Sequence, residues 1–389
     1  MSVKGKAYIA GAFEHPLRKA PNHSLSQLHA EIAKGTLEDA GLTKNDIDGL
    51  FVAGDAPGGN AWSLANYMNL NQLKHIDSTD MGGCSYMLHV AHAAEAIAAG
   101  KCNVALVTLA GRPNSEGSSG TQVRDRGAGV PDSPFELPYS PVTVNLYAMC
   151  AMLHMHKYGT TSEQLAWVKV AASHHAQHNP NAMLRDVVTV EQVLASPMIS
   201  DPLHRLDCCV VSDGGGGVIV TRPEIAKSLK RPLVKITGVG ESTKHQMAGN
   251  VDLTYSGAAW TGPRAFEMAG IKPSDIKYAS IYDSFTITVV MQIEDLGFCK
   301  KGEGGKFVAD GNLIAGVGKF PFNTDGGGLC NNHPANRGGM TKIIEAVRQL
   351  RGEAHPKVQI ANCDLALAHG TGGALGARHG SGTVIMERE

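Results

Sequence analysis

The sequence of 389 residues lacks several features that would assign it to whole classes of protein. It has no run of about 18 apolar residues, so no segment is long enough to cross a bilayer as a helix. Its formal net charge is −1 and it has no block of like charge, so the basic surface of a nucleic-acid-binding protein is missing. Its N-terminus resembles a first strand more than a secretion signal. These absences favour small-molecule chemistry in the cytoplasm.

The eight cysteines form neither a disulfide framework nor a CxxC pair, so we expect reduced thiols. Cys208 and Cys209 are adjacent in an apolar stretch that we interpret as a strand, Leu206 to Val211. Vicinal cysteines in such a strand are typical of packing residues, although a redox pair is the alternative. The seventeen histidines include ligand-like local spacings, but no HExxH motif or Cys/His set surrounds them. We expect no metal site.

Two segments of the chain resemble each other at a constant offset. The recurring residues are Ala40 and Ala269, Gly41 and Gly270, Asp46 and Asp275, and Ile47 and Ile276. In each half a strand follows, and later a glycine turn and a helix. This order predicts an α/β protein of two halves, 1–232 and 233–389, whose sheets are covered by helices on both faces. The alternative is that any two βα units share such capping residues.

The first half contains a stretch that breaks this order. From Gly111 to about Tyr139 the composition shifts to Gly, Ser, Pro, Arg and Asp without periodicity, which is typical of a long loop. Two helices follow, near Val142 to Tyr158 and Ser162 to His178. We interpret 111–205 as an insertion. A strand hairpin, turning at Ser212 to Gly217, is predicted to close the half.

Cys84 is the first candidate for chemistry. It follows two glycines and opens a helix that is small and apolar almost all round. The N–H groups and dipole at a helix start stabilise a thiolate and lower its pKa, which suits a nucleophile. The alternative is a buried cysteine that only packs.

Two histidines are the next candidates. His333 lies in a glycine turn before a helix and could act as a base or polarise a carbonyl, although a capping histidine is the alternative. His369 ends a strand, Leu365 to Ala368, and precedes Gly370 to Gly373, a predicted loop whose N–H groups suit an oxyanion. A Rossmann site is excluded, because no GxGxxG follows a strand with a helix and an acid behind it.

Taken together these residues resemble the thiolases, and among them the sterol carrier protein X-type or lipid-transfer-protein-type branch. The resemblance covers nearly the whole chain and implies a duplicated five-layer αβαβα sandwich with a loop insertion that helps to hold coenzyme A. The motifs that carry it are Gly-Gly-Cys84, Leu206 to Gly214, Tyr282 to Phe285, Leu296 to Cys299, Asn323 to Pro334 and the glycine-rich last strand pair.

The resemblance also implies roles for individual residues. Cys84 matches the acyl-accepting nucleophile, and His333 matches the histidine that activates it and helps to bind the thioester oxygen. Gly372 or Gly373, with the N–H of Cys84, would form an oxyanion hole. The residues that contact coenzyme A are not identified.

The sequence departs from the family pattern at the second cysteine. Most thiolases place a second cysteine in a C-terminal CxG loop, where this chain has His369. The sterol carrier branch instead uses the cysteine of an HDCF motif, where this chain has Tyr282-Asp283-Ser284-Phe285. We expect His369, rather than the nearby Cys330, to act as the acid/base group. Tyr282 resembles the tyrosine of CoA-ester retro-aldolases.

The sequence thus predicts a thiolase-like acyltransferase that cleaves a β-oxoacyl-CoA through an acyl-Cys84 intermediate, with coenzyme A as a substrate and no covalently bound cofactor. Two alternatives stay open: a CoA-thioester retro-aldolase using Tyr282, and a non-catalytic acyl-CoA-binding subunit. The resemblance further implies a homodimer, which could pair into a dimer of dimers, and a small zinc-ribbon and OB-fold partner that meets the loop at 111–139.

Overall fold

A computed structural model describes residues 2–118, 137–139, 142–245 and 251–389. Most of the loop predicted from Gly111 to Tyr139 falls on residues 119–136, which lie outside the described residues.

Strands and helices alternate along both halves of the chain. The strands before residue 233 are β1 (Tyr8–Glu14), β2 (Gly49–Phe51), β3 (His75–Asp77), β4 (Val104–Gly111), β5 (Met198–Ser200), β6 (Leu203–His204) and β7 (Gly214–Thr221). The helices of this part are α1 (Leu25–Ala40), α2 (Ala61–Met68), α3 (Ser85–Ala98), α4 (Thr143–Tyr158), α5 (Ser162–Ala176), α6 (Val190–Leu194) and α7 (Pro223–Ser228).

The later strands are β8 (Val234–Lys244), β9 (Tyr278–Ile281), β10 (Leu365–Ala374) and β11 (Ala377–Arg388). The later helices are α8 (Ala258–Ala269), α9 (Thr286–Asp295), α10 (Gly304–Val308) and α11 (Gly339–Arg351).

The strand order confirms the duplication. Among the described residues, nine strands form one sheet in the order β3-β2-β4-β7-β1-β8-β11-β10-β9, so that β2-β4-β7-β1 on one side repeats as β9-β10-β11-β8 on the other. The β2–β4 and β9–β10 pairs are parallel, and the other matched pairs are antiparallel. The halves meet where β1 pairs with β8.

The residues that revealed the duplication have the same structural roles in each half. Gly41 ends α1 and Gly270 ends α8, both in the left-handed conformation with φ of 73°. Glycine adopts this conformation without the steric cost that a Cβ brings. Asp46 and Asp275 each accept a hydrogen bond of 2.8 Å from the backbone N–H three residues earlier.

The elements stack in the five layers that the resemblance implies. Helices α3 and α11 contact each other and strands of both half-sheets, whereas α1 packs on β1, β4 and β7, and α8 packs on β8 and β11. Neighbouring glycines of β7 show the two faces: a Cβ on Gly216 would lie 2.5 Å from Ile344 of α11, and one on Gly217 would lie 2.8 Å from Thr36 of α1. The αβαβα sandwich is confirmed.

The middle layer holds one of the main hydrophobic cores, formed by α3, α11 and the strands on either side. Eleven of the 14 residues of α3 are buried, as its all-round apolar composition predicts. Because α3 starts at Cys84 and α11 starts just after His333, this rigid layer positions both candidate residues.

The hairpin predicted at the end of the first half is wrong. Arg205–Asp207 forms a short 3-10 turn, and the chain then makes an isolated bridge between Cys208 and Phe285. The glycines at 214–217 do not turn but begin β7, paired with β1 and β4. Glycine is needed there because helices approach both faces of the strand.

The glycine loop predicted after Leu365 to Ala368 is also wrong. Strand β10 continues to Ala374 and pairs with β11 along its length. A Cβ on Gly370 would lie 3.1 Å from Cys84 Cα, and one on Gly372 would lie 1.7 Å from the carbonyl oxygen of Met81. The glycines therefore let the strand pass directly against the turn that carries Cys84.

The described part of the region interpreted as an insertion, 111–205, contains α4, α5, α6 and the small β5–β6 ladder. Helix α5 packs against α9 and α10 of the second half. We propose that the halves divide between residues 232 and 233, just before β8. Within the described ranges, no helix is long and apolar enough to cross a membrane.

Candidate active site

A tight turn places Cys84 at the start of α3. Gly82–Cys84 forms one 3-10 turn, and Gly82 adopts a φ of 66°. The Cys84 thiol donates a hydrogen bond to the carbonyl oxygen of Met81, with 3.1 Å between sulfur and oxygen. A Cβ on Gly380 of β11 would lie 3.0 Å from the sulfur. Backbone atoms thus enclose the sulfur, both from the turn itself and from the last strand pair.

The environment of Cys84 does not lower its pKa as the helix start alone would predict. Burial raises the pKa of the thiol to about 12 and outweighs the lowering by its own backbone N–H and by Arg337. The side chain is fully buried. Cys84 is therefore a protonated thiol at neutral pH in this structure, and its reaction needs a base.

His333 is held by its backbone and by its ring. Its N–H donates to Ser212 Oγ at 2.8 Å, and that hydroxyl donates to Asn332 Oδ1 at 2.7 Å. Its Nε2 lies 3.0 Å from Tyr282 Oη. A histidine that acts as a base needs a ring in a fixed orientation, and these contacts supply it.

Tyr282 connects His333 with the Cys84 turn. The N–H of Gly338 donates to Tyr282 Oη at 3.1 Å, which leaves the phenol proton available to His333 Nε2. A Cβ on Gly83 would lie 2.2 Å from the same oxygen, so Tyr282 Oη stands directly over the residue before Cys84. Burial, reinforced by Tyr147, raises the pKa of Tyr282 well above its ordinary value.

A buried ion pair supports the His333 turn, the segment from Gly327 to His333. Asp283, next to Tyr282, lies 2.6 Å from Lys342 Nζ of α11, and both side chains are buried. The same carboxylate accepts the N–H of Gly328 at 2.8 Å and of Leu329 at 3.2 Å. Asp283 thus ties the turn to the central helix.

A second ion pair joins the two candidate turns. Arg337 donates to both carboxylate oxygens of Asp80, at 2.7 and 2.9 Å. Asp80 also accepts the N–H of Gly82 at 2.9 Å. Although burial acts to raise it, the pKa of Asp80 is lowered by these contacts with Arg337 and the backbone. A bidentate pair of this kind fixes orientation as well as distance.

These groups border a cavity of about 660 Å³. Its wall includes Tyr282, His333, Gly372 and Gly373, all predicted from the sequence. The Cys84 side chain is not part of the wall, because it is buried just behind Met81 and Gly83. The structure therefore brings the predicted nucleophile, the base and the tyrosine to one place, with the sulfur covered.

The structure does not bring His369 to this place. Its Nδ1 lies 2.8 Å from Thr383 Oγ1, which in turn lies 2.8 Å from Thr261 Oγ1 of α8. Its side chain therefore faces the outer helix layer, whereas Gly370 meets Cys84 on the other face of β10. Burial lowers the pKa of His369 to about 3. The expected acid/base role is corrected, since the alternation of side chains along a strand directs His369 away from Cys84.

Gly372 and Gly373 lie in β10 against the Cys84 turn. The backbone nitrogen of Gly373 lies 3.1 Å from the place that a Cβ on Gly82 would take. Both glycines line the cavity. Their oxyanion role stays a prediction.

Sequence reasoning missed several groups of the wall, among them two cysteines and a threonine. Cys208 and Cys209, interpreted as packing residues, both line the cavity, although Cys208 also packs against a core. Thr371 lines it too, with a buried hydroxyl. The sequence held only part of the signal for Cys209, which lies in the motif from Leu206 to Gly214. The direction of its side chain could not be predicted, because the chain there does not form the expected hairpin.

No group of three or more His, Cys, Asp or Glu side chains in the described part of the chain is placed to hold a metal ion.

Comparisons with known proteins agree with this fold. Residues 240–388 match the family model of the thiolase C-terminal domain-like family. The chain is 36% identical to a steroid side-chain-cleaving aldolase of Thermomonospora curvata, over 90% of this chain and 92% of that protein. It is 32% identical to an acetyl-CoA acetyltransferase of Methanothermobacter thermautotrophicus, over 91% and 92% respectively.

A solved structure of an Ltp2–ChsH2(DUF35) aldolase superposes on this chain with a TM-score of 0.89 and 32% identity, over 99% of this chain and 98% of the other. Fold, site and relatives define an enzyme that acts on thioesters of coenzyme A. The chain belongs to the thiolase superfamily, in the branch of the sterol carrier protein and lipid-transfer-protein thiolases.

Proposed function

We propose that this enzyme transfers an acyl group from a β-oxoacyl-CoA to coenzyme A through an acyl thioester on Cys84, in the degradative direction. Coenzyme A is a substrate in this reaction. A thiolate exchanges readily with thioesters, and the covalent intermediate divides one difficult transfer into two steps.

The residues of the site fit the order of these steps. His333 takes the proton of Cys84, Tyr282 orients the imidazole through the 3.0 Å contact, and the sulfur attacks the β-carbonyl carbon. The carbonyl oxygen then becomes an oxyanion, which the N–H groups of Cys84 and of Gly372 or Gly373 would stabilise. Burial keeps the thiol protonated until His333 acts.

The observation that carries the proposal is the joining of the two halves at one cavity. The turn of Cys84 and the turn of His333 are bridged by the bidentate Asp80–Arg337 pair, and Tyr282 contacts both. Acyl transfer requires a nucleophile and a base in fixed relation, and this construction supplies it.

The test is thiolysis of acetoacetyl-CoA and of a longer 3-oxoacyl-CoA by the full chain. We expect Cys84→Ala to lower the rate by a factor on the order of 10³ or more. The matched control is Cys102→Ala, which removes a buried thiol of the same half outside the cavity and should retain activity. Mass spectrometry should find an acyl group on Cys84. Undiminished thiolysis by Cys84→Ala contradicts the proposal.

A retro-aldol reaction is the second candidate function, and the contact between Tyr282 Oη and His333 Nε2 favours it. In that reaction the phenolate of Tyr282 removes the β-hydroxyl proton of a β-hydroxyacyl-CoA, the Cα–Cβ bond breaks with its electron pair going to Cα, and the proton that Tyr282 has taken passes to Cα. His333 would accept the phenol proton. The covered position of Cys84 is compatible with this role for Tyr282. The relatives of the chain include a steroid side-chain-cleaving aldolase and a 17-hydroxy-3-oxo-4-pregnene-20-carboxyl-CoA lyase.

Two variants separate the candidates. If Cys84→Ala retains carbon–carbon cleavage of a β-hydroxyacyl-CoA and Tyr282→Phe abolishes it, the aldolase is correct. If Cys84→Ala abolishes cleavage of a β-oxoacyl-CoA and Tyr282→Phe retains it, acyl transfer is supported. If the unmodified protein binds CoA esters but cleaves none of them, the remaining hypothesis is a non-catalytic acyl-CoA-binding subunit.

We also propose a homodimer that works with a small zinc-ribbon and OB-fold partner in the cytoplasm, in lipid degradation. The solved structure of the Ltp2–ChsH2(DUF35) aldolase supports the partner. Light scattering of the purified chain should give twice its mass of 41.0 kDa. Coexpression with a DUF35 protein encoded beside its gene should raise the cleavage rate, and an unchanged rate would remove the partner from the proposal.

A further inference from the structure

Cleavage of a β-oxoacyl-CoA moves two protons, and the pair of Cys84 and His333 accounts for one of them. Breaking the Cα–Cβ bond leaves a carbanion at Cα of the departing CoA ester, which must gain a proton. The thiol of the incoming coenzyme A must then lose one. Chemistry therefore requires a second group that carries a proton at the cavity wall.

Cys209 lies in that wall beside the motif that starts at Tyr282. Its N–H donates to the carbonyl oxygen of Ser284 at 2.9 Å, and the next N–H, of Val210, donates to the carbonyl oxygen of Gly328 at 2.9 Å. These two bonds hold the chain against both the tyrosine motif and the His333 turn. The thiol is partly buried and lines the cavity, whereas Cys84 is fully buried.

Tyr282 lies against the turn of Cys84 and lines the same cavity as Cys209. Cys209 raises the pKa of Tyr282 more strongly than Cys84 does. Both thiols also act on Tyr147, another residue of the wall. Cys209, Tyr282 and His333 therefore face the same space.

Strand β10 brings the cavity wall and the Cys84 turn together at Thr371. Thr371 lines the cavity, and a Cβ on Gly83 would lie 2.5 Å from its carbonyl oxygen. The reacting atoms are thus expected between the Cys84 turn and Cys209, within the cavity that Cys209 lines.

We infer that Cys209 is the second proton-transferring thiol of the active site, an inference that rests on the proposed acyl transfer. When Cys84 sulfur bonds to the β-carbon and the Cα–Cβ bond breaks, the electron pair goes to Cα, which takes the proton of Cys209. The Cys209 thiolate then takes the proton of coenzyme A. The coenzyme A sulfur attacks the acyl group, the bond to Cys84 breaks, and Cys84 recovers its proton from His333.

The resting state of Cys209 suits the first of these transfers. Burial raises the pKa of its thiol well above the ordinary value, and Cys208 and Asp283 add to this effect. Cys209 therefore enters the reaction as an acid rather than as a thiolate.

The test is exchange of the α-protons of acetyl-CoA in heavy water, followed by mass spectrometry of the recovered thioester. Exchange uses the same group in reverse: the thiolate form of Cys209 removes an α-proton and returns a deuteron, with no attack by Cys84. Because burial raises the pKa of Cys209, exchange is measured at alkaline pH, where more of the thiolate is present. We expect Cys209→Ala to lower the exchange rate by ~10²-fold or more, which is the usual contribution of general acid/base catalysis. Cys84→Ala should retain exchange. Cys209→Ser, which keeps the size of the side chain, should also lose exchange, and melting curves of each variant exclude misfolding as the cause.

The control is Cys299→Ala, which removes a partly buried thiol outside the cavity and should exchange as the unmodified enzyme does. Exchange that persists in Cys209→Ala and Cys209→Ser, or that is absent from the unmodified enzyme, overturns the inference. A failure of the proposed function would give a different result. If exchange depends on Cys209 but the enzyme shows no thiolysis, the proposed acyl transfer is wrong and the role of Cys209 at Cα stands.

Iodoacetamide labelling is an independent measurement. Because Cys209 lines the cavity and Cys84 does not, Cys209 should be labelled faster than Cys84 at alkaline pH, where part of its thiol is ionised, and should be protected by added coenzyme A. Labelling of Cys209 that coenzyme A does not slow would contradict its place beside the thioester.

Discussion

The turns that carry Cys84 and His333 occupy equivalent places in the two halves, yet they are held by different forces. Each opens onto a helix of the central layer. The Cys84 turn is closed by backbone, because glycines let Tyr282 and β10 touch it. The His333 turn is held by side chains, above all by the Asp283–Lys342 pair. A turn closed by backbone tolerates no added atom, whereas one held by a buried ion pair tolerates no unpaired charge.

The largest effect is expected from Gly83→Ala, which attacks the backbone-closed turn. A Cβ there would lie 2.2 Å from Tyr282 Oη and 2.5 Å from the carbonyl oxygen of Thr371, so the turn, the tyrosine or the strand must move. Displacement of reacting groups by about 1 Å costs roughly 10²-fold in rate. We expect at least this loss in thiolysis and in exchange.

The control for this prediction is Gly352→Ala, at the end of α11. No heavy atom lies within 4 Å of the added Cβ, so only the positive φ of 75° opposes it. We expect a loss of about 1 kcal/mol in the free energy of unfolding and unchanged activity. Equal loss of activity in both variants would show that the contact with Tyr282 is not the reason.

The next effect is expected from Lys342→Met, which attacks the turn held by side chains. It leaves the carboxylate of Asp283 buried and without its cation. Breaking a buried pair in this way costs about 3–5 kcal/mol, which urea unfolding measures.

The double variant Lys342→Met with Asp283→Asn sharpens this result. It removes the buried charge and keeps an amide oxygen for the N–H of Gly328, so it should recover part of the stability. If the single variant unfolds at the same urea concentration as the unmodified protein, side-chain support of the His333 turn is refuted.

The smallest effect is expected at His92, whose ring bridges the halves by contacts of 2.7 Å to Asp77 and 2.9 Å to Glu241. The hydrogen bonds that His92 donates to these carboxylates raise its pKa to about 10. The folded pKa is above the ordinary 6.5, so the stabilisation is complete below that value and is lost as the pH rises through about 10.

His92→Gln should therefore lower the free energy of unfolding by about 1 kcal/mol near neutral pH, because the ring is partly exposed. The difference from the unmodified protein should vanish above the folded pKa. A difference that stays constant with pH would mean that packing, not charge, makes the contribution.

Some of the site could be predicted from sequence because its signals are local. Cys84 follows two glycines at the start of an apolar helix, and His333 follows a glycine turn before another. The duplication is visible because Gly41 and Gly270 end helices in the same way. A few neighbouring residues are sufficient to recognise each of these features.

The rest could not be predicted because it depends on what lies across the sheet. The glycines at 214–217 and Gly370 to Gly373 have the composition of turns, yet both groups lie in strands that helices or the Cys84 turn approach closely. The direction of His369 follows from the pairing of β10, and the place of Cys209 in the wall follows from the bonds that hold its backbone to Ser284 and Gly328.

The sequence by itself determined the family, the two halves, and the residues that begin the central helices, because caps, turns and apolar periodicity act over a few neighbouring residues. Only the tertiary structure decided which groups share the cavity with Tyr282 and His333, that the sulfur of Cys84 is covered, and that Cys209 rather than His369 faces the site. Those outcomes depend on burial and on contacts between residues far apart in the chain, since the same glycine or cysteine serves a turn, a strand or a cavity wall according to what packs against it.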